Sequence, residues 1–212
     1  MKDSFELLRP TLQTCPHCDY ALTSPDFKPQ LRVRRFRWSL TFGGCGRVLA
    51  RQATLRDTNM ITREEFKVLL PLACAWAGAQ ERIILRDGVP LSPAQTTDAK
   101  SIGVARPKKV RLLKVTRIPI PENPALRDAV DAIQLISPRT GGLTLRYGIF
   151  IRADCWDDRR LVFHELVHTL QYERLGGFQQ FLQRYLFECI TIGYPAAPME
   201  QEAVTTTARL CA

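Results

Sequence analysis

The residues most able to do chemistry form the pattern His164-Glu165-x-x-His168, within the apolar stretch from Leu161 to Tyr172. On a helix, residues four apart lie one turn apart on the same face, so both imidazoles can reach one metal ion. Glu165 lies about 100° further round the helix, close enough to contact a water molecule held by that metal. The spacing therefore predicts two metal ligands and a general base, with zinc as the metal.

The flanking sequence predicts that this pattern lies in the middle of a helix. Asp157 and Asp158 are acidic residues where the helix should begin, and Arg174 followed by Gly176-Gly177 is a stop signal. The alternative is a chance grouping of these residues on an ordinary amphipathic helix. We do not favour it, because the chain has only three histidines and two of them flank the glutamate.

A catalytic zinc site usually has three protein ligands, so a third must come from elsewhere in the chain. The extended motif with a third histidine is excluded, because Gln171 and Arg174 stand where it requires Gly and His. Glu173 faces about 140° away from His168 on the same helix. Glu188 lies on the next predicted helix, where nothing in its neighbours singles it out. The remaining candidates are Glu200 and its rival Glu202, about 200° apart on a helix, so only one of them can face the metal.

The combination of His164-Glu165-x-x-His168 with Glu200-x-x-Ala203 resembles the gluzincin-type zinc metallopeptidases. The resemblance covers roughly residues 141 to 208. It implies a zincin-like fold, Zn²⁺ as the cofactor, and Glu200 as the third ligand on a downstream helix. In that family a small residue, here Ala203, lets the two helices approach. A peptide or protein is then the expected substrate.

A tyrosine could donate a hydrogen bond to the oxyanion that forms when the peptide carbonyl is attacked, as in similar enzymes. Tyr194, six residues before Glu200, is the predicted donor. Tyr172 and Tyr185 compete for the same role. Packing of Tyr194 in its Gly-Tyr-Pro loop is the alternative to any catalytic role.

The stretch from Gly142 to Arg152, just before the motif helix, alternates apolar and other residues, which predicts a strand or a tight hairpin. In zinc peptidases of this general type, a strand before the active-site helix forms the sheet edge along which an extended substrate pairs. A plain core strand is the equally weighted alternative.

The rest of the chain predicts further elements around the motif helix. A long helix runs from Thr62 to about Arg86, with a capping box at its start and Pro71 favouring a kink or break. Residues 89 to 108 read as a polar connection, Val110 to Ile118 as a strand, and Asn123-Pro124 as the start of a short helix. The fold class is therefore α+β, with a small sheet, a metal-binding helix and packed helices.

Residues 1 to 59 differ from the remainder and predict an irregular N-terminal extension before a domain at residues 60 to 212. The extension contains the Cys15-Pro16-His17-Cys18 pair, which is half of a structural zinc site, and a basic run from Arg32 to Trp38. A second Cys-x-x-Cys is missing, so a metal site there would need Cys45 and a more distant ligand. A loosely ordered extension is the simpler interpretation.

Composition limits the remaining possibilities. The 212 residues are 45% hydrophobic and 24% charged, which is enough for one ordinary hydrophobic core, and the net charge of +9 is spread along the chain.

The apolar run from Val68 to Ala79 is too short to span a bilayer, so no transmembrane segment is expected. The start of the chain has no signal-peptide pattern, which predicts a cytoplasmic location. The seven cysteines form no disulfide-like framework.

The sequence thus predicts a zinc metallohydrolase, most simply a peptidase, with His164, His168 and Glu200 as ligands and Glu165 as general base. Two other classes stay open. One is a non-catalytic zinc-binding scaffold, in which a fourth protein ligand such as Cys155 or Glu202 would close the water position. The other is a nucleic-acid-associated protein acting through residues 1 to 59, although nucleic acid is not the expected partner. Oligomeric state is not predictable from these patterns.

Overall fold

The computed structural model of the protein describes residues 61–211, which form an α+β arrangement of six α-helices and a small mixed sheet of four strands. The α+β prediction is therefore confirmed. The predicted boundary near residue 60, the Cys15–Cys18 pair and the basic run lie outside the described residues. The helices are α1 (Arg63–Asp87), α2 (Pro93–Ser101), α3 (Pro124–Ala132), α4 (Arg159–Leu175), α5 (Phe178–Ile192) and α6 (Pro198–Leu210). The strands are β1 (Val89–Pro90), β2 (Arg111–Val115), β3 (Gly142–Leu145) and β4 (Gly148–Arg152).

Local capping signals set several helix starts. Thr62 and Glu65 form the predicted capping box at α1, and Asn123 accepts a hydrogen bond from the Leu126 amide at 3.1 Å at the start of α3. Of the kink or break predicted at Pro71, the break does not occur, because α1 continues through this residue. Helix α2 was not predicted and lies within the supposed polar connection. Its own capping box, made by Ser92 and Gln95, is the sequence signal that could have revealed it.

The sheet has the strand order β1-β2-β4-β3, so β3 is an edge strand. Strands β3 and β4 form an antiparallel hairpin, and β4 pairs in parallel with β2. The turn between β3 and β4 includes Arg146 with a φ of 61°, a left-handed conformation typical of tight turns. Of the two predictions for residues 142 to 152, the tight hairpin is observed, with one edge strand and one interior strand.

Alternate residues of β3 face different layers of the protein. Leu143 and Leu145 belong to the core cluster shared with α1, α3 and α5. Thr144, between them, forms hydrogen bonds to Glu165 of α4. Strand β4 alternates in the same way, and its Ile149 and Ile151 pack with side chains of α2 and α4. Helix α4 is thereby fixed against the edge of the sheet, with the predicted motif at its centre.

Among residues 61–211, α1 is the one helix long and apolar enough to cross a membrane by length and composition, with a mean hydropathy of 1.3 in its most apolar part. Core helices of globular proteins pass the same test. The buried Glu81 of α1 accepts two hydrogen bonds from Arg146 at 2.9 and 2.7 Å, and Ala73, Ala77 and Ile84 lie in the core. These contacts are compatible with the expected absence of a transmembrane segment.

Candidate metal centre

Helix α4 carries both histidines of the motif on one face. Asp158 caps the helix by accepting hydrogen bonds from the amides of Arg160 and Leu161 at 2.9 and 3.1 Å. His168 is buried and His164 is half-buried. Their Nε2 atoms lie 3.2 Å apart, one helical turn apart as the spacing predicts. The two imidazoles therefore present their Nε2 atoms to the same point.

Helix α6 brings the Glu200 carboxylate to this point. Oε1 of Glu200 lies 3.1 Å from His164 Nε2, and Oε2 lies 3.3 Å from His168 Nε2. Ala203, one turn further along α6, is fully buried and packs with Phe163 and Val167 of α4. A small side chain at this contact allows the two helices to approach closely. Ala203 is thus the small residue at the contact between α4 and α6.

The spacing of these donor atoms suits a bound transition-metal ion. Bond lengths of about 2.0–2.1 Å and tetrahedral angles would put neighbouring ligand atoms about 3.3 Å apart. The two Nε2 atoms lie 3.2 Å apart, and each of them lies 3.1 or 3.3 Å from a different oxygen of the Glu200 carboxylate. Within residues 61–211, Glu200 Oε1 is buried and accepts no hydrogen bond of good geometry. It lies against the His164 imidazole, and a buried carboxylate is costly unless a cation, either an imidazolium or a metal ion, balances its charge. The group His164, His168 and Glu200 can therefore hold a metal.

A buried glutamine fixes the tautomer of His168. The Gln171 side-chain amide donates to the carbonyl of Met199 at 2.8 Å and to Glu202 at 3.0 Å, so its NH₂ group faces two acceptors. Its Oε1 must then face His168 Nδ1, 2.8 Å away, and Nδ1 must carry the proton. In neutral His168 the lone pair of Nε2 consequently points at Glu200 and His164. Such outer hydrogen bonds are typical of metal-ligating histidines.

The rival carboxylate of Glu202 lies elsewhere. It accepts hydrogen bonds from Arg174 at 2.7 and 2.8 Å as well as from Gln171. The Arg174 guanidinium, chiefly, holds the pKa of Glu202 below its usual value. Glu202 therefore supports His168 through Gln171 and does not belong to the donor group. Glu202 and Glu200 are two residues apart, so they point in nearly opposite directions from the axis of α6.

Two side chains of α5 position Glu200, a role that the sequence did not predict for either of them. The hydroxyl of Tyr185 donates to Glu200 Oε2 at 3.0 Å, and burial raises the pKa of Tyr185 well above its usual value, so it stays a donor. Glu188 accepts a hydrogen bond from the Met199 amide at 2.8 Å. This contact caps α6, whose own N-cap, Ala197, has no side-chain acceptor. Both roles depend on helix packing, which periodicity alone does not reveal.

The predicted general base, Glu165, is buried between α4 and β3. Thr144 Oγ1 lies 2.6 Å from Glu165 Oε2 and 2.9 Å from the Glu165 carbonyl oxygen. Gly142 lies against the same carboxylate, since a Cβ added there would come 2.5 Å from Glu165 Oε1. The lack of a side chain at residue 142 thus leaves room for the carboxylate. Thr144 and Gly142 are further site residues that the sequence did not identify.

Tyr194 lies in a short 3-10 turn, Tyr194–Ala196, between α5 and α6. It lines the same cavity as His164, Glu165 and His168, as do its competitors Tyr172 and Tyr185. Of these three tyrosines, Tyr185 already donates its hydroxyl hydrogen bond to Glu200.

Glu173, another carboxylate considered from the sequence, lies away from the donor group. It accepts hydrogen bonds from the backbone amides of Ala105 and Arg106.

Comparisons of the chain with protein-family models, with curated proteins and with solved structures gave no match. The assignment of the site therefore depends on the chemistry of the described residues and on the motif itself.

Metal affinity should depend on pH through His168. Burial opposes the charge on this imidazole, but its hydrogen bond and attraction to Glu200 outweigh burial and raise the pKa of His168 to about 9 in the metal-free protein. A metal ion binds only the unprotonated nitrogen, so below this pKa each ion must displace one proton. We expect the association constant to rise about tenfold per pH unit between about pH 7 and pH 9 and then to level off. Competition with a chromophoric chelator measures it, and a constant affinity across this range would contradict the assignment.

Removing the Gln171 hydrogen bond should weaken metal binding without removing a ligand. We expect Gln171→Met to lower metal affinity about 10- to 100-fold, the usual effect of losing an outer-shell partner. Gln179→Met, at an exposed position on α5, is the matched control and should bind as wild type. Isothermal titration with Zn²⁺, together with circular dichroism to check folding, makes the measurement. Equal affinities in a folded Gln171→Met protein would show that the glutamine does not position His168.

Proposed function

We propose that this chain is a zinc-dependent metallohydrolase that cleaves peptide or protein substrates, and that residues 60 to 212 form a zincin-like domain. The observation that carries the proposal is the convergence of the His164, His168 and Glu200 donor atoms, all within 4.8 Å of one another. Glu165 adjoins this group in the chain and lines the same cavity. The cytoplasmic location stays a prediction.

Zinc is proposed because of the donor set and the motif. Two imidazoles and one carboxylate are a ligand set of catalytic zinc sites, in which a further position is left for water. Other first-row ions also bind such donors. The order His-Glu-x-x-His on a helix, followed by a glutamate on a later helix, favours zinc among them.

The lack of a fourth protein donor favours catalysis over a purely structural site. Within residues 61–211, the donor group contains only the three residues named above. Cys155, one candidate for a fourth ligand, instead contacts Arg152 and Asp154. The other candidate, Glu202, is paired with Arg174. An open coordination position is what separates catalytic from structural zinc sites.

The chemistry divides between the ion and the protein. Bound zinc would lower the pKa of a water molecule toward neutrality and polarise the substrate carbonyl. Glu165 accepts the proton of the attacking water and later transfers it to the leaving amine. Thr144 holds the Glu165 carboxylate in place by its hydrogen bond.

Two further groups contact the substrate in this proposal. Tyr194 donates a hydrogen bond to the carbonyl oxygen of the substrate as negative charge develops on that oxygen. Strand β3 is an edge strand of the sheet formed by residues 61–211, and its outer backbone groups would pair with an extended substrate.

Replacing Glu165 by Gln tests the proposal, because it keeps the shape of the side chain and removes the base. We expect Glu165→Gln to bind zinc as wild type does and to lose about 100- to 10,000-fold in turnover. Turnover is measured with zinc-loaded protein on a complex peptide mixture, with new termini identified by mass spectrometry. Zinc content is measured by elemental analysis on the same samples.

Glu64→Gln is the control, since Glu64 is exposed on α1 and its ion pair within residues 61–211 is with Lys67. It should retain full turnover. Full turnover by Glu165→Gln would exclude Glu165 as the base. Zinc binding by the wild type without hydrolysis of any peptide would instead favour the non-catalytic scaffold.

A further inference from the structure

A second cavity, which we call the basic pocket, lies apart from the candidate metal centre. Its volume is about 390 Å³, and among residues 61–211 its wall shares no member with the cavity beside the metal centre. Leu85 and Tyr147 line it together with side chains that are cationic at neutral pH. The cationic residues of its wall are Arg106, Lys108, Lys109, Arg111 and Arg146.

The pairing of the strands brings these cations together from two distant segments of the chain. Arg111 is the first residue of β2, and its amide donates to the carbonyl of Tyr147 at 2.8 Å. Since β2 pairs in parallel with β4, the start of β2 lies beside the tip of the β3–β4 hairpin, where Arg146 is located. The other three cations immediately precede β2, in and next to the 3-10 turn Pro107–Lys109.

Two carboxylates that do not line the basic pocket hold parts of its wall in position. Glu81 accepts hydrogen bonds from Nε and Nη2 of Arg146 at 2.9 and 2.7 Å. Glu173 accepts hydrogen bonds from the Tyr147 hydroxyl and the Arg106 amide, both at 3.0 Å. The five cations of the wall therefore outnumber the carboxylates that contact it.

Most of these cations have no carboxylate partner. Within residues 61–211, Arg146 is the one member of the five that forms an ion pair. Arg111 donates to two backbone carbonyls at 2.9 Å, and the Lys109 ammonium lies 5.8 Å from the centre of the Tyr147 ring. Like charges around one cavity repel one another, and a bound anion relieves that repulsion. The basic pocket therefore suits a ligand that carries several negative charges.

The chemistry of the donors favours phosphate among such ligands. A guanidinium can form two parallel hydrogen bonds with phosphate oxygens, and a lysine ammonium binds phosphate as a point charge. One phosphate group carries a charge of about −1.5 to −2 at pH 7, so two or three linked groups balance five cations better than one does. The volume of about 390 Å³ is within the usual range of small-molecule sites, about 300–1,000 Å³.

We propose that the basic pocket binds a compound with two or more linked phosphate groups. Free tripolyphosphate and the phosphate chain of a nucleoside triphosphate share this chemistry. The inference goes beyond the proposed hydrolase function, because it requires neither zinc nor cleavage of a substrate. It can therefore be tested by binding alone.

A charge-matched pair of double variants tests the location of the site. Arg106→Gln/Lys108→Gln removes two exposed cations of the wall. Lys100→Gln/Arg117→Gln removes one arginine and one lysine at exposed positions outside the pocket. The two proteins have the same net charge, so a difference between them reports the pocket and not general attraction of anions to a basic chain. Circular dichroism checks that both are folded.

Binding is measured by isothermal titration of the full chain, without added zinc because tripolyphosphate and citrate themselves bind zinc. We expect wild type to bind tripolyphosphate at least about tenfold more tightly than inorganic phosphate or the tricarboxylate citrate. Arg106→Gln/Lys108→Gln should lose at least about tenfold in affinity for tripolyphosphate, since charge-assisted hydrogen bonds are removed. Lys100→Gln/Arg117→Gln should bind as wild type does.

Titration with ATP distinguishes the two sources of the phosphate chain. Affinity equal to that of tripolyphosphate would support recognition of the chain alone, and affinity at least about tenfold higher would support a nucleotide. The inference would be overturned by no binding, by equal affinity for tripolyphosphate, phosphate and citrate, or by equal affinities of the two double variants. Tighter binding of a single-stranded oligothymidylate than of tripolyphosphate, lost in Arg106→Gln/Lys108→Gln, would also overturn it and indicate a nucleic-acid surface instead.

Discussion

The structure depends on the burial of one carboxylate between two helices. Glu200 is fully buried at the contact of α4 with α6, where an ionised side chain is costly unless its charge is balanced. Burial raises the pKa of Glu200, but the imidazoles of His164 and His168 outweigh that effect and hold it well below its usual range. The carboxylate therefore stays ionised, and the two helices meet around a negative charge that requires a cationic or hydrogen-bonding environment.

Several hydrogen bonds hold this arrangement in place. Tyr185 donates to Glu200, Glu188 caps the helix that carries it, and Gln171 orients His168. Glu202 in turn orients Gln171. Each of these groups is itself paired, so the donor atoms face one another with few alternative arrangements available. A site in which the ligands are fixed before the metal binds is the arrangement expected for tight and selective binding.

The sequence allowed the motif helix to be predicted because its signals are local. The Asp158 cap, the glycine at the end of α4 and the spacing of the two histidines all act within one helix. The cap at Asn123 and the hairpin after residue 142 are equally local. Helix α2 was missed because prolines on either side outweighed the capping box of Ser92.

The partners of the motif could not be predicted in the same way. Helical rotation shows that Glu200 and Glu202 face different directions, but not which of them faces α4. Only the packing of α6 through Ala203 decides it. Thr144 reaches Glu165 from a strand 21 residues earlier, a contact that depends on the position of β3 at the edge of the sheet. Such contacts between distant segments determine the shape of the site.

The most direct test of this account is zinc content, measured by elemental analysis on protein purified without chelator, for wild type, Glu200→Ala and Glu202→Ala. The account predicts about one zinc per chain in wild type, loss of zinc in Glu200→Ala, and retention with weaker affinity in Glu202→Ala. A folded wild-type protein that takes up no zinc when zinc is supplied would contradict it. Loss of zinc in Glu202→Ala with full retention in Glu200→Ala would contradict it as well.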